Sequence, residues 1–553
     1  MYNIRTVYDA VNRTWHGATV KHVYNPEASM GQIMFEALAR TPELVIQQDM
    51  DTGRSMTYAE FQTKLIRFAQ NLTSIGVCKG DVIALANANS ENLAPLACAL
   101  LTIGAPFNPL APGFNEDDMA NMLETTKPKL VFCDADNYDV VRKALQRVVA
   151  DGERLPPIYV FECSRSDVKH AEDLLKETGK ETTFLPPYLG DSHKTLAVIL
   201  CSSGTSGAHK GVRLTHSACL QLTILYRFSI IPSIYFSFSA IYWTTGFSAL
   251  LSPFFNGGIR LITRKPFNEE QFFEAVEKYR VHSIFTPPAY AYAVLAHPRT
   301  KTIDFSSVQL WAVGGSPIPE QLRDRIDELL ARTGGRSVNV FGSSEIGGVA
   351  LDVIKRKPGA VGQLMPNVTV RIVDEDGKRL GVGEVGELLT KAVEEFGGYY
   401  GNEQASSDAI DSDGFFRTGD IGYIDEEGFL YLIDRKKDIF KYRNFHVSPS
   451  DLEAIILRID GVQDVCVVGV PDADGGTDLP AAAIVRRPGA NLDASQVRKI
   501  VDEQVSDFKR LRGGVYFIEE LPKTDSGKVL RRKAAKMIVH MNQLSQAETE
   551  GRV

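Results

Sequence analysis

Residues 195–211 read TLAVILCSSGTSGAHKG, an apolar run that leads directly into a loop rich in glycine, serine and threonine. A short apolar run that ends at such a loop is typical of a buried β-strand. Glycine lets several backbone N–H groups converge on one anion, hydroxyl groups add donors, and Lys210 adds a positive charge. The stretch therefore predicts a strand followed by a phosphate-binding loop, with a flexible surface loop as the alternative.

The loop differs from a Walker A loop in the order of its last residues. Gly207 is followed by Ala-His-Lys-Gly, whereas a Walker A loop ends in Gly-Lys-Ser or Gly-Lys-Thr. The sequence thus indicates a phosphate-binding loop of another kind.

Outward from this loop, short apolar runs alternate with stretches of helical periodicity, which favours mainly parallel α/β sheets. Strands are predicted within 81–88, 129–135, 157–163, 195–203, 259–264, 282–288 and 308–316, and helices within 58–76, 268–280 and 319–335. From about Val361 the pattern becomes hairpin-like, with Asp-Gly at a turn within 368–389. A smaller α/β unit follows from about Ile439, so the boundary between the units is predicted near 432–440.

Composition and charge limit the functional classes. The net charge of -8 offers no basic face for a nucleic acid. Seven cysteines without a CxxC pair or metal-ligand spacing predict free thiols in a reducing compartment. We expect the cytoplasm or the peroxisome, although the last residues, Gly-Arg-Val, do not match a Ser-Lys-Leu type of address and the first residues do not resemble a secretory signal.

One uncharged segment, residues 228–259, resembles a membrane span at first sight. Pro232, Gly246 and Pro253 interrupt it, together with many serines and threonines. The segment is therefore predicted to be a buried strand, turn and helix, and we expect no transmembrane segment.

Five motifs together resemble those of the adenylate-forming (ANL) superfamily, which holds acyl-CoA synthetases, plant coumarate ligases and beetle luciferases. They are SSGTSGAHKGV at 202–212, VFGSSE at 340–345, RTGDIG at 417–422, LIDRKKDIFKY at 432–442 and LPKTDSGKVLRR at 521–532. Their order and spacing are similar to those of the family, and the resemblance runs from about Met56 to Lys536. The chain looks most like the luciferase and coumarate-ligase branch.

The resemblance implies a fold and a domain division. The fold would be α/β, with a large N-terminal domain of α/β subdomains plus a β-rich subdomain, and a small mobile α+β C-terminal domain. The implied bounds are 1–433 for the large domain, 434–438 for the hinge and 439–553 for the small domain.

The resemblance also implies a reaction in two steps. A carboxylic acid, expected to be a medium- or long-chain fatty acid, would react with ATP and Mg²⁺ to give an acyl-adenylate, and coenzyme A would then displace AMP. One alternative is an adenylating enzyme that stops at the adenylate or oxidises it as luciferases do. Another is a binding protein that retains the fold without turnover.

Roles carried over from the family fall on individual positions. Phosphate-loop residues would be Ser202, Ser203, Gly204, Thr205, Ser206, Gly207 and Lys210; adenine-site residues Gly315, Ser316, Phe341, Gly342 and Ser344; ribose ligands Asp420 and Arg435. Glu345 would coordinate Mg²⁺, Lys528 would contact the α-phosphate and the attacking carboxylate, and Lys441 would serve the thioester step. Gly314, Thr245 and Phe247 would line the acyl pocket, and Lys437 would be the hinge residue.

Some positions depart from the family pattern. Thr244, Thr245 and Gly246 stand where relatives often carry histidine or tryptophan, which argues against luciferase-type light chemistry. Asn444 replaces a glycine, and asparagine tolerates positive φ better than other non-glycine residues. His446 replaces a glutamine and keeps a hydrogen-bond donor. We therefore expect the coenzyme A step to survive.

Overall fold

The computed structural model describes residues 5–21, 25, 27–150, 152–202, 209–223, 234–316, 318–443, 445–472, 477–523 and 529–550. Strands up to residue 435 are β1 (Val7–Asp9), β2 (Thr14–His16), β3 (Val45–Asp49), β4 (Ser55–Thr57), β5 (Ile83–Ala86), β6 (Phe107–Pro109), β7 (Leu130–Asp134), β8 (Ile158–Phe161), β9 (Lys169–His170), β10 (Leu196–Ser202), β11 (Lys210–Thr215), β12 (Ile234–Ser237), β13 (Ile259–Ile262), β14 (Ser283–Thr286), β15 (Leu310–Gly314), β16 (Arg336–Ser343), β17 (Gly347–Leu351), β18 (Gly362–Leu364), β19 (Val368–Val373), β20 (Gly386–Ala392), β21 (Phe416–Ile424) and β22 (Phe429–Arg435).

Helices in the same part of the chain are α1 (Met30–Arg40), α2 (Tyr58–Ser74), α3 (Leu93–Ile103), α4 (Glu116–Thr126), α5 (Tyr138–Val148), α6 (His216–Leu222), α7 (Thr244–Leu251), α8 (Pro253–Asn256), α9 (Glu269–Glu277), α10 (Pro288–Ala296), α11 (Glu320–Leu330) and α12 (Glu403–Asp408). The alternation of strands and helices confirms the predicted α/β class, and each strand and helix predicted from periodicity is present.

A seven-stranded sheet in the order β11-β10-β6-β5-β7-β8-β9 carries the quoted apolar run. It is parallel except for the β10–β11 hairpin. Its strands are buried because helices, among them α2 and α3, cover them with apolar side chains. The run 196–202 is therefore the buried strand that its composition predicts.

A larger sheet runs in the order β1-β2-β19-β20-β21-β22-β18-β17-β16-β15-β14-β12-β13-β3-β4. It is parallel from β13 through β12, β14 and β15 to β16, and antiparallel from β17 onwards. The prediction that the pattern changes near Val361 is wrong in position, because β17 begins at Gly347. A tight hairpin joins β16 to β17: a Cβ on Gly342 would lie 2.3 Å from the Gly347 carbonyl oxygen.

The uncharged segment contributes β12, α7 and α8; residues 224–233 lie outside the described part. Gly246 belongs to a close backbone approach, since a Cβ there would lie 1.9 Å from the Ala240 carbonyl oxygen. Among the residues that the structure describes, no helix is both long and apolar enough to span a bilayer.

The β1–β2 hairpin forms one edge of the large sheet. Trp15 pairs with Val370 on β19 and is 1% exposed. This pairing joins residues that lie more than 300 positions apart in the chain, and composition offers no sign of it.

A smaller unit follows β22. Its elements are β23 (Phe440–Tyr442), β24 (Phe445–Val447), α13 (Pro449–Ile456), β25 (Val462–Pro471), β26 (Asp478–Arg486), α14 (Ala494–Asp502), β27 (Gly514–Ile518) and α15 (Arg531–Glu550). The buried residues of its two apolar clusters come from 440–538. A large N-terminal part and a separate small C-terminal part agree with the predicted fold; the boundary at 433 and the mobility of the small part stay predictions.

Asp434, at the end of β22, contacts the first turn of α13. Its Oδ2 accepts hydrogen bonds from the Ser448 hydroxyl at 2.8 Å and from the Ser450 N–H at 3.0 Å. Because the first N–H groups of a helix have no partner within the helix, this carboxylate caps α13 from the preceding strand.

Candidate active site

Strands β10 and β11 flank the glycine-rich segment in the sequence and pair with each other as an antiparallel hairpin. Ser202 pairs with Lys210 across the base of the loop. Ser203, Gly204, Thr205, Ser206 and Gly207 lie outside the described residues. The chain continues from the loop into strand β11 and not into a helix, in agreement with the prediction that this is not a Walker A loop. Lys210 is thus fixed at the point where the loop ends.

Lys210 and Glu345 meet at one aromatic side chain, Tyr399. The Lys210 Nζ lies 4.7 Å from the centroid of the Tyr399 ring, within range of a cation–π interaction. The Tyr399 hydroxyl donates a hydrogen bond to Glu345 Oε1 at 3.0 Å. Burial and the neighbouring Glu345 carboxylate raise the pKa of the Tyr399 hydroxyl, so it stays protonated and remains a donor at neutral pH.

Ser344, the residue before Glu345, contacts the start of α7. The Ser344 hydroxyl lies 2.7 Å from the Thr244 hydroxyl, and Thr245 donates to the Ser239 hydroxyl at 3.0 Å. Phe247, one helical turn further, is 0% exposed and packs edge-on against Phe107 in the core. Its described contacts are those of a core residue, and its role in an acyl pocket stays a prediction.

The predicted adenine-site residues lie at the ends of two parallel strands. Gly314 ends β15 and pairs with Val340 on β16, one residue before Phe341. The carboxyl ends of parallel strands share one sheet edge, so Gly315, Ser316 and Phe341 lie along that edge. Gly315 has φ +91°, and a Cβ there would meet no atom of the described residues within 4 Å. The backbone at Gly315 thus leaves open space at the strand ends.

Asp420 and Arg435 form an ion pair between neighbouring strands. They are register partners on β21 and β22, and Arg435 Nε lies 2.9 Å from Asp420 Oδ1. Asp420 is 8% exposed, and its N–H donates to the Thr418 hydroxyl at 3.0 Å. The pair holds the carboxylate in a fixed orientation, as hydrogen bonding to two ribose hydroxyls would require.

The residues predicted for the second step lie after β22. Lys437 occupies the turn that follows Arg435, and Lys441 pairs with His446 in the β23–β24 hairpin. His446 Nε2 lies 3.9 Å from Glu375 Oε1, so the hairpin faces the β19–β20 connection. Asn444 and Lys528 lie outside the described residues.

The chemistry of the site is compatible with a hard cation. Within the described ranges, no cluster of three or more His, Cys, Asp or Glu side chains could hold a metal ion. A single carboxylate, Glu345, next to hydroxyl groups suits Mg²⁺, which is often bound through one or two carboxylates together with substrate phosphates and water. The residues present therefore fit a metal that arrives with a nucleotide.

Tyr399 is the residue that sequence reasoning missed. It lies 54 positions from Glu345 and 189 from Lys210, so spacing gives no hint of the contact. The available signal is the local sequence GGYYG at 397–401, in which glycines surround an aromatic pair. Gly398 and Gly401 both have positive φ, which indicates a backbone of fixed shape.

Comparison with known proteins agrees with the geometry. The AMP-binding enzyme family model matches residues 34–400, and the model of the AMP-binding enzyme C-terminal domain matches 451–528. The chain is 28% identical to the "Probable 4-coumarate--CoA ligase 1" of Dictyostelium discoideum, over 94% of this chain and 97% of that protein. It is also 28% identical to the "Luciferin 4-monooxygenase" of Photinus pyralis, over 93% and 95%.

A solved structure shares the fold over nearly the whole chain. The ATP-bound MatB from Rhodopseudomonas palustris superposes with a TM-score of 0.79 at 26% identity, covering 92% of this chain and 98% of that one. The family models cover the phosphate loop, the Glu345 segment and most of the small unit, which confirms the resemblance seen in the motifs. The chain belongs to the AMP-binding enzymes of the adenylate-forming superfamily.

Proposed function

We propose that this protein activates a carboxylic acid with ATP, giving an acyl-adenylate and pyrophosphate, and then transfers the acyl group to coenzyme A with release of AMP. The observation that carries the proposal is the convergence of Lys210 and Glu345 on Tyr399 at the tip of the β10–β11 hairpin. A cation and a carboxylate beside a glycine-rich loop suit a magnesium–triphosphate substrate.

The nucleotide roles follow from the ends of strands β15 and β16 and from the ion pair between β21 and β22. Phe341 would offer its ring to adenine, and Gly315 would leave room for it, since none of the atoms that the structure describes lies within 4 Å of a Cβ there. Asp420, oriented by Arg435, would accept hydrogen bonds from the ribose hydroxyls. The related MatB structure is ATP-bound, which supports a nucleotide site in this chain.

Charge on the phosphates is the main obstacle to the first step. Lys210 would neutralise part of it, and Lys528 would contact the α-phosphate and the attacking carboxylate. Glu345 would hold Mg²⁺, which, when bound, would neutralise further charge on the departing pyrophosphate. Fixed charges of this kind lower the barrier because they need no reorganisation as the reaction proceeds.

The second step would use the small domain, for which we propose the bounds 439–553 after a hinge at 434–438 and a large domain at 1–433. Rotation about Lys437 would bring Lys441 and the β23–β24 hairpin to the cleft. His446 would supply the hydrogen-bond donor that glutamine gives in relatives. The related Dictyostelium protein, whose name is that of a CoA ligase, supports a thioester product.

For the acid we propose a medium- or long-chain fatty acid. The segment that the family places beside the acyl group lies within residues 228–259, which contain no charged residue and no histidine. Apolar surface of this kind favours a hydrocarbon chain. All seven cysteines are free thiols, which supports the proposal of a reducing compartment, the cytosol or the peroxisome.

The test is a screen of purified protein with ATP, Mg²⁺, coenzyme A and acids from acetate to palmitate, with 4-coumarate as an aryl acid. Pyrophosphate and CoA thioester are measured separately, with Asp420→Ala as a matched inactive control. We expect both products in equal amounts, and most of them with laurate or palmitate.

Each other outcome selects a different function. Pyrophosphate without thioester across the whole series would favour an enzyme that stops at the adenylate or oxidises it. Thioester from 4-coumarate but not from fatty acids would keep the ligase and refute the fatty acid. No pyrophosphate with any acid would favour a binding protein.

A further inference from the structure

Tyr399 is held rigidly by its backbone neighbours. The segment 397–400 lies along β11: the Arg213 N–H donates to the Gly398 carbonyl at 3.0 Å, and the Tyr400 N–H donates to the Gly211 carbonyl at 2.7 Å. The Tyr399 N–H donates to the Ser406 hydroxyl at 2.8 Å. The ring packs edge-on against Phe396 at 5.0 Å between centroids. The phenol therefore has little freedom to move.

Glu345 and Lys210, in contrast, end in long flexible side chains. A glutamate or lysine loses considerable rotamer freedom when its charged end is fixed in one place. Tyr399 contacts both ends, the carboxylate through its hydroxyl and the ammonium through its ring face. The two contacts use different parts of one side chain, so substitution can separate them.

We propose that Tyr399 is a positioning residue, which holds the Glu345 carboxylate and the Lys210 ammonium in the arrangement that a magnesium–nucleotide requires. This inference rests on the proposed function. Tyr399 itself would touch neither the reacting acid nor the phosphates; it would act through Glu345 and Lys210. It links the end of the phosphate loop to the metal-binding carboxylate, two groups that lie 135 positions apart in the chain.

Two substitutions separate the hydroxyl from the ring. Tyr399→Phe keeps the ring face for Lys210 and removes the donor to Glu345. Tyr399→Leu removes both. Since a hydrogen bond to a charged group contributes more than one between neutral groups, we expect Tyr399→Phe to weaken magnesium–nucleotide binding about tenfold. We expect Tyr399→Leu to weaken it further.

The decisive measurement is a double-mutant cycle read by calorimetry. The dissociation constant of Mg²⁺-α,β-methylene-ATP is measured for the wild type, Tyr399→Phe, Glu345→Gln and the double variant. If Tyr399 acts through Glu345, the double variant binds no more weakly than Glu345→Gln alone. A purely structural tyrosine would give losses that add.

Controls address folding and the hydroxyl itself. Tyr188→Phe removes a phenol hydroxyl from a side chain that is 79% exposed and should change nothing. Thermal unfolding reports whether each variant is folded. Should Tyr399→Phe not fold, Tyr399→Met provides the second route: it keeps an apolar side chain and removes the donor to Glu345, and combined with Glu345→Gln it should again bind no more weakly than Glu345→Gln alone.

The outcomes distinguish this role from the proposed function. If Tyr399→Phe binds the nucleotide as tightly as the wild type, or if the losses in the cycle add, the role of Tyr399 is refuted and the proposed function stands. No nucleotide binding by the wild type would overturn the proposed function and this role with it. A tenfold loss in Tyr399→Phe, with a double variant that binds no more weakly than Glu345→Gln alone, would support both.

Discussion

His216 makes the stability of the large domain dependent on pH. It begins α6, is 1% exposed, and its Nδ1 accepts a hydrogen bond from the Met30 N–H at 3.2 Å. Burial lowers the pKa of its imidazole to about 4, and the positive charge of Lys79 acts in the same direction. A proton on Nδ1 would also remove the hydrogen bond, because two donors, this proton and the Met30 N–H, would then face each other.

The sign and the size of the effect follow from this shift. Because the native pKa lies below that of the unfolded chain, the unfolded state binds the proton first as the pH falls from 6.5 towards 4. Stability is therefore full above pH 6.5 and is lost as the pH falls through this window. With pKa values of about 4 folded and 6.5 unfolded, the loss between pH 7 and pH 5 is about 2 kcal/mol.

The assay compares urea unfolding at pH 7 and pH 5 for the wild type and His216→Asn. The asparagine amide oxygen can replace Nδ1 as the acceptor for the Met30 N–H and does not titrate. We expect His216→Asn to be less stable at pH 7, since the smaller side chain leaves a cavity. It should nevertheless lose about 2 kcal/mol less than the wild type on acidification.

His540→Asn is the matched control, since this side chain is exposed. It should show the same loss on acidification as the wild type. An equal loss in His216→Asn and the wild type would refute the reasoning.

Four further predictions concern the site and the core. Lys528→Ala should abolish pyrophosphate release and spare thioester formation from a supplied acyl-adenylate, because Lys528 would contact the α-phosphate in the first step and rotation of the small domain would remove it from the cleft before the second; equal loss of both steps would contradict it. Glu345→Gln should raise the Mg²⁺ concentration needed for half-maximal pyrophosphate release, because an amide is a poorer ligand for a hard cation; wild-type rates at low Mg²⁺ would contradict it. Lys441→Ala should slow thioester formation and leave the pyrophosphate released in a single turnover unchanged, since this residue would serve the second step alone. Phe247→Ala should cost about 3–5 kcal/mol of unfolding free energy, as deletion of a buried ring does; a cost below 1 kcal/mol would place Phe247 against an open pocket.

The local features of the fold could be predicted from the sequence. The strand at 196–202 is buried on both faces, so its residues form a continuous apolar run. The helix at 58–74 carries its apolar residues at a spacing of three and four, and Thr57 with Glu60 forms a capping box at its start. Each of these signals lies within one element, so it can be recognised in the sequence without knowledge of the tertiary structure.

The pairing of most strands could not be predicted, whether the strands are consecutive or lie far apart in the chain. The β16–β17 hairpin changes the sheet from parallel to antiparallel at Gly347, and its turn SSEIGG reads as a functional motif as readily as a turn. In the site, motifs indicated Glu345 and Lys210 but not the tyrosine between them. A contact across 54 positions leaves no periodic pattern in a single sequence.

The β1–β2 hairpin has a consequence for the timing of synthesis. Its partner strand β19 begins at Val368, so roughly 350 residues must be made after His16 before the hairpin can pair. At about 5–20 residues per second, this takes roughly 20 to 70 s. Until then the Trp15 side chain has no sheet to cover it, and the unpaired strand edge is open to other chains. The nascent chain therefore depends on protection of its first strands for most of its translation.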